Sequence, residues 1–134
     1  MPIQKQLSIF LENRPGMLAH IASILAQANV NILALSVHDT VDNAVVRLVL
    51  DQPTKALLLL EQEELYIMEQ EVVILAVDNQ PGTLARIAQR LGHADINIQY
   101  AYCTAATNQL AGCIVLKTDQ AEAAMDCLRE FESE

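Results

Sequence analysis

Between Gln6 and Glu12 the chain alternates, with Leu7, Ile9 and Leu11 set against Gln6, Ser8 and Glu12, which predicts a half-buried strand. An Asn-x-Pro-Gly stretch at 13–16 breaks the alternation, and Leu18, Ile21, Ala22, Leu25 and Ala28 then recur at helical spacing. An apolar stretch around Val30–His38 predicts a second strand, and Asp39, Asp42 and Asn43 a turn. Ala44–Leu50 is β-branched and strand-like, Pro53 opens a helix through Leu57–Gln62, and Leu65–Glu69 reads as a closing strand. The order strand, helix, strand, strand, helix, strand is the split βαβ, ferredoxin-like unit.

The pattern then repeats. Shifting the chain by 66 positions lays 13–32 over 79–98, and eleven of those twenty positions are identical: Asn13, Pro15, Gly16, Leu18, Ala19, Ile21, Ala22, Leu25, Ala28, Asn31 and Ile32. The same shift lays Leu48-Val-Leu50 over Ile114-Val-Leu116. The second copy predicts a strand at Val72–Asp78, a helix at Gly82–Gly92, strands at Ile96–Thr104 and Gly112–Leu116, and a helix at Gln120–Phe131. The fold class expected is therefore α+β, two ferredoxin-like (βαββαβ) units spanning 1–70 and 71–134, with antiparallel sheets. The second unit lacks a clear final strand, so one sheet edge should be short, covered or completed by another chain. Val72 to Val77 is apolar on both strand faces, which fits either a face met by another sheet or subunit or a central strand lying under a loop.

Composition narrows the function classes. Over 134 residues, 52% apolar content supports a packed core. Eight Lys and Arg against 17 Asp and Glu leave a net charge of −9, a field that repels nucleic acid and anionic membrane surfaces. The longest apolar run, Val72–Val77, is far short of the roughly 20 residues that span a bilayer. The start, Met1-Pro-Ile-Gln-Lys-Gln, carries no leader pattern, and Cys103, Cys113 and Cys127 form no Cys-x-x-Cys, so a cytoplasmic location is expected.

The repeated turn is the leading candidate for chemistry. With Pro15 and Pro81 as first helical residues, Arg14 and Gln80 would be poor N-caps. The N–H groups of Gly16-Met17-Leu18 and Gly82-Thr83-Leu84 would then point outward at the positive end of a helix, a site sized for a carboxylate. Asn13 and Asn79 bring a carboxamide to the same loops, and Asn31 and Asn97 another to the start of the following strand. Ordinary turn chemistry explains the same asparagines without a ligand. His20, His38 and His93 have no metal-ligand spacing, and no phosphate loop, dinucleotide fingerprint or nucleophile motif is present. No metal or cofactor is expected. Cys103 and Cys113 read as small core residues, the acidic run Glu61–Glu64 with Glu69 and Glu71 as a solvated face, and Arg86 and Arg90 as its counterions or as solvated themselves.

Glu12-Asn-Arg-Pro-Gly-Met-Leu-Ala19 followed by Ala28-Asn-Val-Asn-Ile-Leu-Ala-Leu-Ser36 resembles an ACT domain, the small amino-acid-sensing module. Asp78-Asn-Gln-Pro-Gly-Thr-Leu-Ala85 with Ala94-Asp-Ile-Asn-Ile98 resembles a second, and 35–47 is similar to tandem members of that family. The resemblance implies units set side by side, with ligand held between the first loop of one and the second strand of its neighbour. It carries the loop asparagine to Asn13 and Asn79, the turn glycine to Gly16 and Gly82, and the strand asparagine to Asn31 and Asn97. Asn13 would then face Asn97, and Asn79 face Asn31. The ligand-binding set is completed by the turn neighbours Arg14, Pro15, Met17 and Leu18 in one copy and Gln80, Pro81, Thr83 and Leu84 in the other. Serine-sensing relatives place a histidine where this chain has Leu11 and Val77, so serine in that pose is not expected.

The function expected is non-catalytic binding of a free amino acid by a sensor or regulatory protein, as a homodimer or larger oligomer with a regulated enzyme as possible partner. The alternative is a ligand-free dimerisation or interaction module that regulates a separately encoded enzyme. Catalysis by the chain itself is the weakest class, because no nucleophile–base pair is readable.

Overall fold

The computed structural model describes residues 3–12, 14–40, 43–77, 80–104 and 112–131. Its elements are β1 (Ile3–Glu12), α1 (Met17–Gln27), β2 (Ile32–Asp39), β3 (Asn43–Leu50), α2 (Pro53–Glu61), β4 (Tyr66–Val77), α3 (Thr83–His93), β5 (Ile98–Thr104), β6 (Gly112–Thr118) and α4 (Ala121–Leu128), then a 3-10 turn at Arg129–Phe131. The chain divides into two compact units. The amino-terminal unit is Lys5–Gln70, and the carboxy-terminal unit joins Met1–Gln4 to Glu71–Glu134.

In the amino-terminal unit the strands lie in the order β2-β3-β1-β4. β1 runs antiparallel to β3, with Leu7 opposite Leu48 and Ile9 opposite Val46, and β2 is antiparallel to β3. The odd residues Leu7, Ile9 and Leu11 therefore share one face, where α1 and α2 press Ile21, Leu25, Ala56 and Leu60 onto them. Each fully buried Leu or Ile contributes roughly 1.5–3 kcal/mol through removal from water.

The carboxy-terminal unit follows the same plan in the order β1-β4-β6-β5, the β1 part being Ile3 and Gln4. Val73, Leu75 and Val77 of β4 meet Ile87 and Leu91 of α3 and Ala124 and Leu128 of α4. Ile3 packs against this core. Both units are α+β arrangements of the βαββαβ kind.

Three features depart from the sequence pattern. The closing strand expected at Leu65–Glu69 and the strand expected at Val72–Asp78 are one twelve-residue strand, β4. The position beside β4 that lacked a carboxy-terminal strand is taken by Ile3 and Gln4 of the same chain rather than by another chain. And the 66-residue offset does not hold to the end. Leu48 lies opposite Leu7 and Leu35, whereas Leu116 lies opposite Val73 and Ala101, so Leu48 corresponds to Leu116 and the offset becomes 68. From Ala101 to Leu116 the chain is two residues longer than from Leu35 to Leu48. On β4 the two faces also differ: opposite the core face, Val72 is buried, Ile74 half-buried and Ala76 exposed, so that face is covered only at its beginning.

Candidate functional site

Each unit builds the same two devices at the two ends of its first helix. Before α1, Arg14-Pro15-Gly16-Met17 forms a turn closed by the Met17 N–H donating to the Arg14 carbonyl at 3.5 Å. Gly16 has φ 89° and ψ −10°, and Gly82 has φ 89° and ψ −12°. Proline second and a left-handed glycine third is the type II pattern, so backbone conformation selects the glycine. A side chain at either position would meet nothing within 4 Å, which leaves the positive φ as the whole constraint.

This corrects the expected helix start. Pro15 and Pro81 are turn residues, and the N-caps are Gly16 and Gly82, neither with a side-chain hydrogen bond. The first helical bonds are His20 N–H to the Gly16 carbonyl and Arg86 N–H to the Gly82 carbonyl, both 3.0 Å. Met17 and Thr83 spend their N–H groups on the turn. The N–H groups of Leu18 and Ala19, and of Leu84 and Ala85, have no backbone acceptor among the described residues. Of the expected donors, Met17 and Thr83 N–H are thus engaged in the turn, whereas Gly16, Leu18, Gly82 and Leu84 N–H have no backbone acceptor among the described residues. Leu18 and Leu84 are exposed beside them, while Met17 packs on its core and Thr83 is buried. Arg14 lies exposed 3.7 Å from Glu12, and Gln80, Pro15 and Pro81 are also exposed. Asn13 and Asn79 lie outside the described residues, and so does any pairing of theirs with Asn97 or Asn31.

At the other end of each helix a left-handed residue, Asn29 (φ 60°) or Asp95 (φ 59°), ends the turn. Val30 N–H donates to the Leu25 carbonyl, and Ile96 N–H to the Leu91 carbonyl, each at 2.9 Å. These are Schellman closures, with the buried Val30 and Ile96 as their apolar contact. They deliver Asn31 and Asn97, both exposed, to the starts of β2 and β5. Asn31 is clasped further: its N–H donates to the Asp51 carboxylate at 2.9 Å and its carbonyl accepts from Asp51 N–H at 3.1 Å. Asp119 is the structural counterpart of Asp51, and no matching clasp exists among the described residues of its unit.

Within one unit the turn and the strand asparagine cannot share a small ligand. The eleven residues of α1 separate them by roughly 16 Å at 1.5 Å per residue. Arg14 to Leu18 are brought together, as are Gln80 to Leu84, while Asn31 and Asn97 stand at the far helix ends.

Asp51 was missed in the sequence. The signal was present, because Asp51-Gln52 recurs as Asp119-Gln120 once the offset of 68 is applied. Side chains beyond the turns are engaged otherwise. His20 Nε2 lies 2.8 Å from Glu63 Oε1, and Arg90 pairs with Glu130 and covers the Phe131 ring at 5.6 Å, not the 61–64 run. Cys103 is exposed rather than a core residue; Cys113 and Cys127 are half-buried. Burial, and then the neighbouring Cys103, push the Cys113 thiol above its ordinary range. Among the described residues no group of three His, Cys, Asp or Glu could hold a metal, and no helix is long and apolar enough to cross a membrane.

Residues 1–132 match the family model described as the ACT domain pair. Protein BT0572 from Bacteroides thetaiotaomicron is similar at 30% identity, over 96% of this chain and 88% of that one, with a TM-score of 0.88. The ligand-free regulatory subunit of aspartate kinase from Thermus thermophilus shares the fold at 18% identity, over 96% and 93%, with a TM-score of 0.69. That from Thermus flavus shares it at 17% identity, over 97% and 96%, with a TM-score of 0.63. Among proteins with curated descriptions, none matches the chain.

Proposed function

Because the chain belongs to the ACT domain pair family, we propose that it binds a free amino acid without transforming it, as a sensor or regulatory protein. One observation carries the reading: both units present the same exposed, uncapped helix start behind a left-handed glycine. Leu18 and Ala19 N–H, and Leu84 and Ala85 N–H, supply paired donors where the helix dipole favours an α-carboxylate. Asn13 and Asn79 complete the loops. The helix length inside each unit means that Asn31 or Asn97 reaches a ligand only from a neighbouring unit, either in the same chain or in a second copy of a homodimer. Binding that favours one arrangement of units shifts its population by no more than the differential affinity, typically ~1–3 kcal/mol. The fold shared with regulatory subunits of aspartate kinase supports a regulatory role for this chain, with a separately encoded enzyme as partner.

A second reading, an interaction module that needs no ligand, rests on β2. This strand is terminal in the strand order and exposes Leu33, Leu35 and Val37 together, an apolar edge of the kind that pairs with another chain.

A thermal-shift panel of the twenty amino acids against the protein, Asn13→Ala and Asn79→Ala separates the two. Ligand at 100 times its Kd adds about 2.7 kcal/mol to the folded state, several degrees for a domain of this size. A shift for one or a few amino acids, reduced in one or both variants, is the expected result. A flat panel in the presence of a soluble homodimer favours the interaction module.

A further inference from the structure

In the amino-terminal unit, α2 (Pro53–Glu61) is anchored by Ala56 and Leu60, both fully buried, with Leu57 packed on the same core. Leu58 lies two residues from each anchor, on the opposite side of the helix, and is 59% exposed. An exposed leucine alone means little. The residues around this one are more informative. Lys55 and Glu61 stand three residues before and after it, both exposed and both neighbours of Leu58 on the helix surface. The outer face of α2 therefore reads positive, apolar, negative, with the uncharged Thr54 and Gln62 exposed beside it.

These charges run against the helix dipole, which favours an acid in the first turn and a base in the last. Lys55 is in the first turn of α2, and Glu61 is its final residue. Lys55 has one use inside the unit, its bond to the Ala28 carbonyl, which leaves its ammonium group further donors. The carboxy-terminal unit is an internal control. At offset 68 the same three positions hold Ala123, Asp126 and Arg129. There Arg129 Nε and Nη2 donate to Asp126 Oδ1 at 3.1 and 3.0 Å, so the charges close on each other and no leucine stands among them.

We propose that the outer face of α2 is where two copies of this chain associate, helix against helix, antiparallel about a twofold axis at Leu58. A surface that reads positive, apolar, negative is answered by one that reads negative, apolar, positive, and the same helix run in reverse presents it. The contact is isologous, as a twofold requires. Leu58 packs on Leu58 of the second copy, and Lys55 of each copy stands level with Glu61 of the other. Each lysine also comes beside the negative end of the second copy's α2, and each glutamate beside the positive end, so both charges gain from a dipole where their own opposed them. This face carries no net charge, whereas the whole chain carries −9, so two copies meet on it without the repulsion that the rest of the chain imposes. The proposal gives the homodimer of the functional reading its surface, and it does not rest on amino-acid binding.

Sedimentation velocity of the full chain over a range of concentrations, without amino acid, tests it. The unmodified chain should show a concentration-dependent dimer. Leu58→Asp, which introduces the residue found at the equivalent place in the carboxy-terminal unit, should raise the dissociation constant roughly tenfold or more. Lys55→Glu and Glu61→Lys should each weaken the dimer several-fold at low salt. The double variant Lys55→Glu/Glu61→Lys should recover most of that loss. Recovery separates contact between copies from a folding defect, because residues six apart on one helix do not meet within a chain. Should Leu58→Asp fail to fold, the three charge variants carry the test. An unmodified chain that stays monomeric, a dimer that Leu58→Asp leaves intact, or a double variant no tighter than the single ones would overturn the proposal. With no ligand present, such a result would leave the amino-acid reading to its own thermal-shift panel.

Discussion

The two units share a plan and differ in how firmly they hold it. Both open their first helix with an x-Pro-Gly-x turn, close it with a left-handed Asn or Asp, and place an alanine and a leucine of the second helix in the core, Ala56 and Leu60 in one, Ala124 and Leu128 in the other. Around α1 the amino-terminal unit adds braces. Lys55 Nζ donates to the Ala28 carbonyl at 2.7 Å and Gln52 Nε2 to the Asn29 carbonyl at 3.1 Å, satisfying carbonyls that a helix end leaves open. Asp51 then clasps Asn31. The carboxy-terminal unit has an alanine, Ala123, where Lys55 stands, and instead ties Arg90 of α3 to the turn after α4 through Glu130 and Phe131. The strand start is thus clasped in one copy, and among the described residues it has no such clasp in the other. Sequence identity in the turns does not make the two copies mechanically equal.

The comparison can be broken first at the shared core. Leu60→Ala and Leu128→Ala remove equivalent, fully buried side chains, and each should cost about 2–5 kcal/mol in chemical denaturation. A cost far smaller in one unit would refute the structural equivalence at offset 68. Next come the turn glycines. Gly16→Ala and Gly82→Ala each place a Cβ at φ 89° and should cost roughly 1–2 kcal/mol from the left-handed conformation alone. Equal losses are expected, because neither site has a crowding neighbour.

Asp51→Ala against Asp119→Ala sharpens the contrast between strand starts. The first loses an exposed charge-assisted bond and should cost about 1 kcal/mol or less, with faster exchange at Asn31 N–H; the second should leave stability near that of the parent protein. The smallest effect concerns the thiols. Alkylation should label Cys103 well before Cys113. Since folding raises the Cys113 pKa, the neutral thiol's contribution to stability is fully present below the ordinary thiol range and lost as pH rises through the raised value. Cys113→Ser should flatten that alkaline decline in a denaturation series against pH.

The sequence was most legible where the backbone needs particular residues. Pro-Gly in a type II turn recurs as identities, and the helix closure recurs as like residues, Asn29-Val30 and Asp95-Ile96, ahead of an identical asparagine; this fixed spacing located both turns and both strand asparagines. Legibility failed where residues interchange freely. Leu, Ile and Val in β3 and β6 satisfy a core face in either alignment, so the two-residue lengthening before β6 was invisible until Leu48 and Leu116 were seen in the same place. Glu69 and Glu71 read as a solvated face at the boundary between the repeats, yet they lie inside the single strand β4. The role of Ile3 was hidden for a simple reason: the residue that closes one unit is separated from the rest of it by the whole of the other. The helix start was misplaced by two residues because proline at a turn's second position and at a helix's first have the same φ.

Titrating ¹⁵N-labelled protein with whichever amino acid raises its melting temperature decides whether the ligand's carboxylate sits on the helix starts behind Gly16 and Gly82. The amide signals of Leu18 and Ala19, of Leu84 and Ala85, or of both pairs should shift first and furthest. Saturation of the ligand with all four of those amides unmoved would contradict that placement.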